Sequence, residues 1–139
     1  MATHDLTRFV DAQRDVYEQA LSEIRSGRKR THWMWFVFPQ VAGLGSSSTS
    51  QHFAIHDRAE AQAYLDHPIL GARLLECARA LLDLDAGSAS EVFGYPDDLK
   101  LKSSLTLFGE VSGPESRFAQ VLEKYFDGES DQRTIHLLT

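Results

Sequence analysis

The chain has to fold around one segment, Arg25-Ser26-Gly27-Arg28-Lys29-Arg30-Thr31-His32-Trp33-Met34-Trp35-Phe36-Val37-Phe38-Pro39-Gln40. In a protein of formal net charge −6, this segment carries four of the 14 lysines and arginines, then both tryptophans and two of the eight phenylalanines. Cations beside an apolar aromatic run, with His32 at the junction, predict a pocket that holds an anion next to a flat ring. The segment contains no complete catalytic signature, so it indicates a location and not a reaction.

The length and composition predict one soluble domain over residues 1–139. A chain of 139 residues that is 42% hydrophobic and 24% charged is long enough to bury one core without disulfides or metal. Cys77 is the single cysteine, so nothing requires an oxidising compartment. Residues 1–5 lack a signal-peptide pattern, and the longest apolar run is far shorter than the roughly twenty residues that span a bilayer. We therefore expect a cytoplasmic protein without a membrane partner.

Other ligand classes are disfavoured by the sequence. The acidic balance argues against nucleic-acid binding, which needs dispersed positive charge. His52 and His56 have the spacing of a helical metal pair, but they fall in a segment predicted to be non-helical, and no third ligand is placed to help. The glycine- and serine-rich residues 43–50 lack the Gly-Lys-Ser or Gly-Lys-Thr ending of a phosphate loop and read as a surface loop. We predict no metal and no cofactor, and the oligomeric state is left open.

The spacing of apolar residues predicts an all-α fold. Residues 6–24 show one helical face, with Asp5 as N-cap and Gly27 as the stop. Capping pairs and the Gly and Pro punctuation predict further helices at about residues 57–65, 68–84, 88–94, 97–108, 114–127 and 132–138. We expect six to eight helices of uneven length and at most a minor strand component. Residues 33–38 fit a short strand or a buried helix equally well.

The first cluster of candidate residues has two interpretations. Arg28, Lys29 and Arg30 follow the end of the first predicted helix, where cations complement the helix dipole. Alternatively, an arginine or lysine there grips a phosphate or carboxylate. The aromatic run is by default core, although a tryptophan at the core's edge, Trp33 or Trp35, would stack on a flat ring.

The second cluster lies on the helix predicted to begin at Asp97. Lys100 and Ser104 share one side of this helix with Asp97. The neighbouring stripe of Leu101, Leu105 and Phe108 predicts a buried face. Hydroxyls at residues 103, 104 and 106 fit two situations equally, namely close packing between helices and the wall of a polar pocket. A serine–lysine nucleophile pair is disfavoured because the chain shows no elbow motif or oxyanion hole.

Long motifs along the chain match the pattern of one family. In the first half they are Arg8-Phe9-Val10-x-Ala12-Gln13, then the run from Gly27 to Gln40 quoted above, then Gly43-Leu44-Gly45-x-Ser47. Further on they are Glu60-Ala61-x-Ala63-Tyr64-Leu65, His67-Pro68-x-Leu70-Gly71-x-Arg73-Leu74 and Lys100-Leu101-x-Ser103-Ser104-x-Thr106-Leu107-Phe108. Over nearly its whole length the sequence resembles the family catalogued as domain of unknown function 1810.

This resemblance implies a small, predominantly helical bacterial protein and no established activity. The family pattern usually has a methionine where Leu105 stands and a tyrosine where Phe53 stands, so the second departure removes a phenol from any site. Some members carry the label calpastatin. The chain does not resemble that disordered inhibitor, which is rich in proline and lysine.

The leading functional hypothesis is a pocket for a small anionic, nucleotide-like ligand. If the protein is an enzyme, His32 and Asp98 are the candidates for proton transfer. The expected reaction is then hydrolysis of an N-glycosidic bond, by analogy with other small helical proteins. We also expect His32 to lie near Ser103 and Ser104. The alternative is a non-catalytic protein-interaction or regulatory module. The predicted ligand-binding residues are Arg28, Lys29, Trp33, Trp35, Gln40, Lys100, Ser103, Ser104 and Thr106.

Overall fold

The computed structural model describes residues 4–85 and 87–139, and these residues form an all-helical fold around one hydrophobic core. Residues 1–3 and Ala86 lie outside the described part, so the first three residues of the segment that lacks a signal-peptide pattern are not covered. The only β-type pairing within it is an isolated parallel bridge between Val41 and Ile55. The helices are α1 (Thr7–Gln13), α2 (Tyr17–Arg25), α3 (Met34–Val37), α4 (Ser48–His52), α5 (Arg58–Asp66), α6 (Leu70–Asp83), α7 (Ala89–Phe93), α8 (Asp97–Ser112), α9 (Arg117–Phe126) and α10 (Gln132–Leu138).

The all-α prediction is confirmed, but the described residues hold ten helices, so the predicted number of six to eight is too low. One extra helix arises where the predicted helix over residues 6–24 breaks into α1 and α2. At the break, the amides of Arg14 and Val16 each bond to a carbonyl three residues back, which tightens the turn. The break lets α1 pack on α3 while α2 packs on α6. Periodicity alone does not reveal such a change of packing partner.

The other extra helices are short. Residues 34–37 form α3. Of the two structures left open for the aromatic run, a short strand and a buried helix, the helix is therefore the one observed. Residues 48–52 form α4 inside the segment predicted as a loop, because the Ser47 hydroxyl accepts the Ser50 amide and caps a single turn.

Several predicted helix starts are confirmed by their caps. The Asp57 carboxylate accepts the Glu60 amide at 2.8 Å, and the Ser88 hydroxyl accepts the Glu91 amide at 3.2 Å. α10 has the predicted bounds, whereas α9 begins at Arg117 and not at residue 114. Capping depends on residues within one turn, so these starts can be found in the sequence.

Helix α8 is the centre of the fold. It packs against α3, α5, α7, α9 and α10, and its predicted stripe of Leu101, Leu105 and Phe108 is buried. The hydroxyl residues on its other sides are buried as well, so much of α8 is enclosed by protein. No helix in the described residues is long and apolar enough to cross a bilayer.

The loop at residues 43–47 lies between α3 and α4 and borders the site described below. Backbone bonds from Ala42 to Ile55 (2.8 Å) and from Ile55 to Gln40 (2.9 Å) anchor its beginning. Gly43 has φ = +102°, and a Cβ there would meet Leu137 of α10 at 3.1 Å. The loop therefore turns sharply under the C-terminal helix, and only glycine fits at the turn.

Candidate functional site

The cationic segment is organised by a carboxylate of the protein itself. Glu23 of α2 is buried, and its Oε1 accepts the amides of Arg30 (2.7 Å) and Thr31 (2.9 Å) and the indole N–H of Trp33 (2.9 Å). The Thr31 hydroxyl and Gln19 donate to Oε2 at 2.6 Å and 2.9 Å. Burial alone would raise the pKa of Glu23, but these hydrogen bonds outweigh it and lower the pKa from 4.5 to about 2. In this region the negative group beside the Trp33 ring is therefore a carboxylate of the chain itself, Glu23.

Lys29 is also used within the fold. Its ammonium lies 2.8 Å from Asp97 Oδ2 and donates to the Thr31 carbonyl at 2.6 Å, and its side chain is only 7% exposed. Arg28 and His32 differ from it, because both are exposed and their side chains make no hydrogen bond or ion pair within the described residues. Lys29 is thus a structural cation, while Arg28 and His32 lie on the surface.

The two tryptophans have different surroundings. Trp33 is fully buried, and its ring packs on Phe38 and Phe93 with centroids 6.4 Å and 6.1 Å apart. Trp35 is only half-buried. Trp33 immediately precedes α3 and Trp35 lies within it, and the chain directs one indole into the core and the other outward.

Trp35 opens onto a groove of about 390 Å³, which we call the Trp35–Lys100 groove. The Lys100 ammonium lies 3.8 Å from the centroid of the Trp35 ring, within cation–π distance, and 3.3 Å from Asp97 Oδ1. The groove runs between α3, the loop at residues 43–47, and the starts of α8 and α10. Its polar and aromatic lining residues are Trp35, Gln40, Lys100, Lys102, Ser103, Asp131 and Arg133.

The floor of the groove is a hydrogen-bonded network between α8 and α10. Gln40 Nε2 donates to Ser103 Oγ at 3.1 Å, and Thr134 Oγ1 lies 3.3 Å from the same oxygen. The Thr106 hydroxyl accepts the Asp131 amide at 2.9 Å. These bonds hold the start of α10 against α8, so the hydroxyls of α8 both pack helices together and, through Ser103, line a polar pocket.

The residues that line the groove carry more positive than negative charge, although Lys100 and Lys102 also contact the carboxylates of Asp97 and Glu129. The groove is lined by three cations and by the single carboxylate of Asp131. That carboxylate is occupied in capping α10, where it accepts the Thr134 amide at 3.1 Å. Lys102 reaches Glu129 at 2.7 Å, but Glu129 is largely exposed, so solvent weakens this pair. Arg133 is exposed, and its side chain has no partner within the described residues.

A smaller cavity of about 220 Å³ adjoins the groove, and we call it the inner cavity. It shares four lining residues with the groove, namely Trp35, Gln40, Leu44 and Gly45. Its other polar lining side chains are Ser50, Gln51 and His56. No group of three or more His, Cys, Asp or Glu in residues 4–85 and 87–139 is arranged to hold a metal ion.

The predicted site residues divide into two groups. The structure brings Trp35, Gln40, Lys100 and Ser103 together at the groove. The others lie elsewhere. Arg28 and His32 are on the surface, and Lys29 and Trp33 lie in the Glu23 region. The Asp98 carboxylate accepts the amide of its neighbour Leu99, and Ser104 and Thr106 are buried on α8. His32 is therefore not among the residues that line the groove with Ser103.

Comparison with known proteins agrees with the motifs. The model of the DUF1810 family, described as a protein of unknown function, matches residues 3–138. The chain belongs to this family. A solved structure with high similarity is that of the conserved hypothetical protein Rv1873 from Mycobacterium tuberculosis, with 51% identity, a TM-score of 0.94 and 96% of each chain covered. No curated protein shows significant similarity to the chain.

For this DUF1810 chain, the departures from the family pattern fall in different places. Leu105 is buried in the stripe of α8, away from the groove. Phe53 lines the inner cavity and stacks near Phe36, with ring centroids 5.3 Å apart. A tyrosine at this position would bring a phenol to the cavity wall, whereas this chain has an apolar ring there.

Three residues of the site were missed in the sequence of this DUF1810 member. Lys102 is two positions from Lys100, which on a helix places their backbones on opposite sides, but its long side chain still reaches the groove. Arg133 is separated from Lys100 by more than thirty residues, and no local pattern connects them. His56 was considered only as a metal ligand. A signal for it was available, because Glu60 follows at the i, i+4 spacing of a side-chain pair.

Proposed function

We propose that this protein binds a small anionic, nucleotide-like ligand in the Trp35–Lys100 groove. The observation that carries the proposal is the Lys100 ammonium, 3.8 Å from the Trp35 ring centroid at a groove that reaches solvent. The ammonium lies over one face of the indole, so a positive charge and an aromatic ring are offered within a few ångströms of each other. A phosphate joined to a ring needs both.

The charge distribution supports an anion over a cation or a neutral ligand. The whole chain has a formal net charge of −6, yet three cations line this groove with one carboxylate, and that carboxylate already caps α10. A local positive potential attracts anions to one place, while the acidic remainder of the surface repels them. Arg133 contributes a planar fork suited to two phosphate or carboxylate oxygens, and Lys102 adds a second ammonium.

The polar floor gives the groove directionality. Gln40 uses its amide nitrogen on Ser103, so its amide oxygen is available to accept a hydrogen bond from a ligand. Ser103 itself is held by Gln40 and Thr134. Groups positioned in this way keep their orientation before the ligand arrives, which lowers the entropic cost of binding.

The proposal concerns binding and includes no reaction. Neither His32 nor Asp98, the predicted candidates for proton transfer, lines the groove. Hydrolysis of an N-glycosidic bond would need a proton-transfer group close to the bound ligand.

A thermal-shift and calorimetric experiment tests the proposal. Adenosine monophosphate in about hundredfold excess over its Kd should stabilise the protein by about 2.7 kcal/mol, and adenosine should have a much smaller effect. Lys100→Met should weaken binding about tenfold to a hundredfold, as expected for loss of a charged hydrogen-bond partner. Arg28→Ala, an exposed cation outside the groove, is the matched control. Unchanged affinity in Lys100→Met would overturn the proposal.

The alternative of an interaction module has its own supporting observation. Tyr95 is 82% exposed and Leu99 is 51% exposed, and they flank Pro96 at the edge of the groove. Exposed apolar side chains next to one another are typical of contact surfaces between proteins. The two proposals separate in the same experiment, because a docking surface of this kind predicts no change in melting temperature with any small anion.

A further inference from the structure

We infer that the inner cavity is a second subsite, which receives the neutral, hydroxyl-bearing part of a phosphorylated ligand, with His56 as its hydrogen-bonding contact. The ligand class is then a sugar or nucleoside monophosphate. The inference rests on the proposed function, because the Trp35–Lys100 groove supplies the contacts to the anionic part.

The first support is that the two spaces adjoin each other. The inner cavity and the groove share Trp35, Gln40, Leu44 and Gly45, so a molecule that reaches over both contacts these four residues. The inner cavity of about 220 Å³ is smaller than the roughly 300–1,000 Å³ typical of complete ligand sites. Its size suits one part of a ligand whose other part lies in the Trp35–Lys100 groove.

The second support is the orientation of His56. Its Nδ1 lies 2.9 Å from Oε1 of Glu60, and its backbone amide donates to the same oxygen at 2.8 Å. The Glu60 carboxylate is buried and is also contacted by Arg8 at 3.3 Å. Burial alone would raise the pKa of Glu60, but the amide and imidazole of His56 and the charge of Arg8 lower it below its ordinary value. Glu60 is therefore an ionised hydrogen-bond acceptor for the imidazole.

This pairing determines what His56 can offer a ligand. With Nδ1–H donated to Glu60, Nε2 is the nitrogen left to contact a ligand, as an acceptor in the neutral imidazole and as a donor in the imidazolium. Nε2 has no hydrogen-bond partner in the described part of the chain. The His56 side chain is 69% exposed and lines the inner cavity. A ligand hydroxyl, which can both donate and accept, is the complementary group.

The other polar groups of the cavity agree with a hydroxyl-bearing guest. The Gln40 amide oxygen is an acceptor on the shared wall, since its nitrogen is bonded to Ser103. Ser50 and Gln51 donate to the carbonyls of Ser47 and Ser46 at 2.9 Å and 3.1 Å, which fixes their side chains within the wall. The cavity carries no lysine or arginine among its lining residues, so it offers nothing to a second phosphate.

The test compares inorganic phosphate, ribose 5-phosphate and adenosine monophosphate by isothermal titration calorimetry. Ribose 5-phosphate and adenosine monophosphate should bind at least about tenfold more tightly than phosphate, because they fill both spaces. His56→Ala should weaken the affinity for ribose 5-phosphate about three- to tenfold, which is the range for one hydrogen bond. The affinity for inorganic phosphate should not change. His32→Ala, an exposed histidine outside both spaces, should change neither affinity.

The outcomes separate this inference from the proposed function. If the sugar phosphates bind no more tightly than phosphate, or if His56→Ala weakens phosphate equally, the inner cavity is not a subsite and the groove proposal stands. If none of the three compounds binds, or if Lys100→Met leaves phosphate affinity unchanged, the proposed function fails and this inference fails with it. Lys100→Met and His56→Ala replace side chains outside the core, so an unchanged melting temperature without ligand confirms that these two variants fold.

Discussion

Two places in this molecule pair a lysine with a tryptophan, and both lysines contact the same carboxylate. Lys29 lies 5.2 Å from the Trp33 ring centroid, and Lys100 lies 3.8 Å from that of Trp35. Asp97 joins them, with one oxygen 2.8 Å from Lys29 and the other 3.3 Å from Lys100. The first pair is enclosed in the fold, whereas the second borders a groove open to solvent.

The difference between the two pairs comes from internal carboxylates. Glu23 accepts from the amides and the indole N–H of the first region, so these donors are not left for an external anion. At the groove, Asp97 contacts Lys100 at 3.3 Å, but the Arg133 side chain has no partner within the described residues, and Asp131 is turned to the cap of α10. We therefore expect the groove, and not the Glu23 region, to be the place where an external anion binds.

The largest expected effect is the contrast between Trp33→Ala and Trp35→Ala. Trp33 is fully buried, so its truncation should lower the free energy of unfolding by about 3–5 kcal/mol. Trp35 is half-buried, so its truncation should cost less than about half of that and should instead abolish ligand stacking. Urea denaturation of both variants measures the contrast. Equal losses of stability would show that the two tryptophans have the same structural role.

The next effect concerns Glu23→Gln, which introduces an amide among donors that need an acceptor. The free energy of unfolding should fall by about 1.5–3 kcal/mol, the range for hydrogen bonds to a charged group. Affinity for adenosine monophosphate should change little, because Glu23 is not part of the groove. A large loss of affinity with unchanged stability would reverse the roles assigned to the two regions.

Glu23 also predicts a pH dependence of stability. Its pKa is lowered from 4.5 to about 2 in the folded protein, so the unfolded chain takes up a proton first as the pH falls. The stabilisation is fully present above the unfolded pKa and is lost as the pH falls towards 2. The stability difference between wild type and Glu23→Gln should be constant near neutral pH and should shrink below about pH 4.5, as measured by urea denaturation at each pH. A constant difference down to pH 2 would contradict this assignment.

A smaller contrast separates Lys29→Met from Lys100→Met. Lys29 is almost fully enclosed with Asp97, so its loss should lower stability by about 1–3 kcal/mol and leave binding intact. Lys100 is more exposed, so its loss should cost less than about 1 kcal/mol while weakening ligand binding. Denaturation and calorimetry on the same preparations measure both quantities. The assignment is wrong if each variant loses stability and affinity in equal measure.

The smallest expected effects on stability are those of Arg133→Ala and Arg28→Ala. Both arginines are exposed, so each change should stay within about 0.5 kcal/mol. Only Arg133→Ala should weaken binding of adenosine monophosphate, and the loss should diminish at high salt because the contact is exposed. Titration at two ionic strengths tests this. If Arg28→Ala weakens binding as much as Arg133→Ala, the anion lies at the cationic segment and not in the groove.

Much of the helical architecture was predictable because its signals are local. The caps at Asp57 and Ser88 and the bounds of α10 depend on residues within one turn. The break between α1 and α2 was not predictable, since it follows from each half packing on a different helix. Four of the nine predicted ligand-binding residues line the groove, Arg28 lies on the surface, and the other four are enclosed in the fold.

Local sequence was sufficient for the all-α class, the burial of the Leu101 stripe and the presence of cations beside aromatic rings. It was not sufficient to tell which of those cations face solvent. That outcome depends on Glu23 reaching Trp33 across a helix end, and on α10 bringing Arg133 beside Lys100. Hydrogen bonds within a turn form wherever the residues are adjacent in sequence. The partner of a charged side chain, in contrast, is known only after distant segments have packed together.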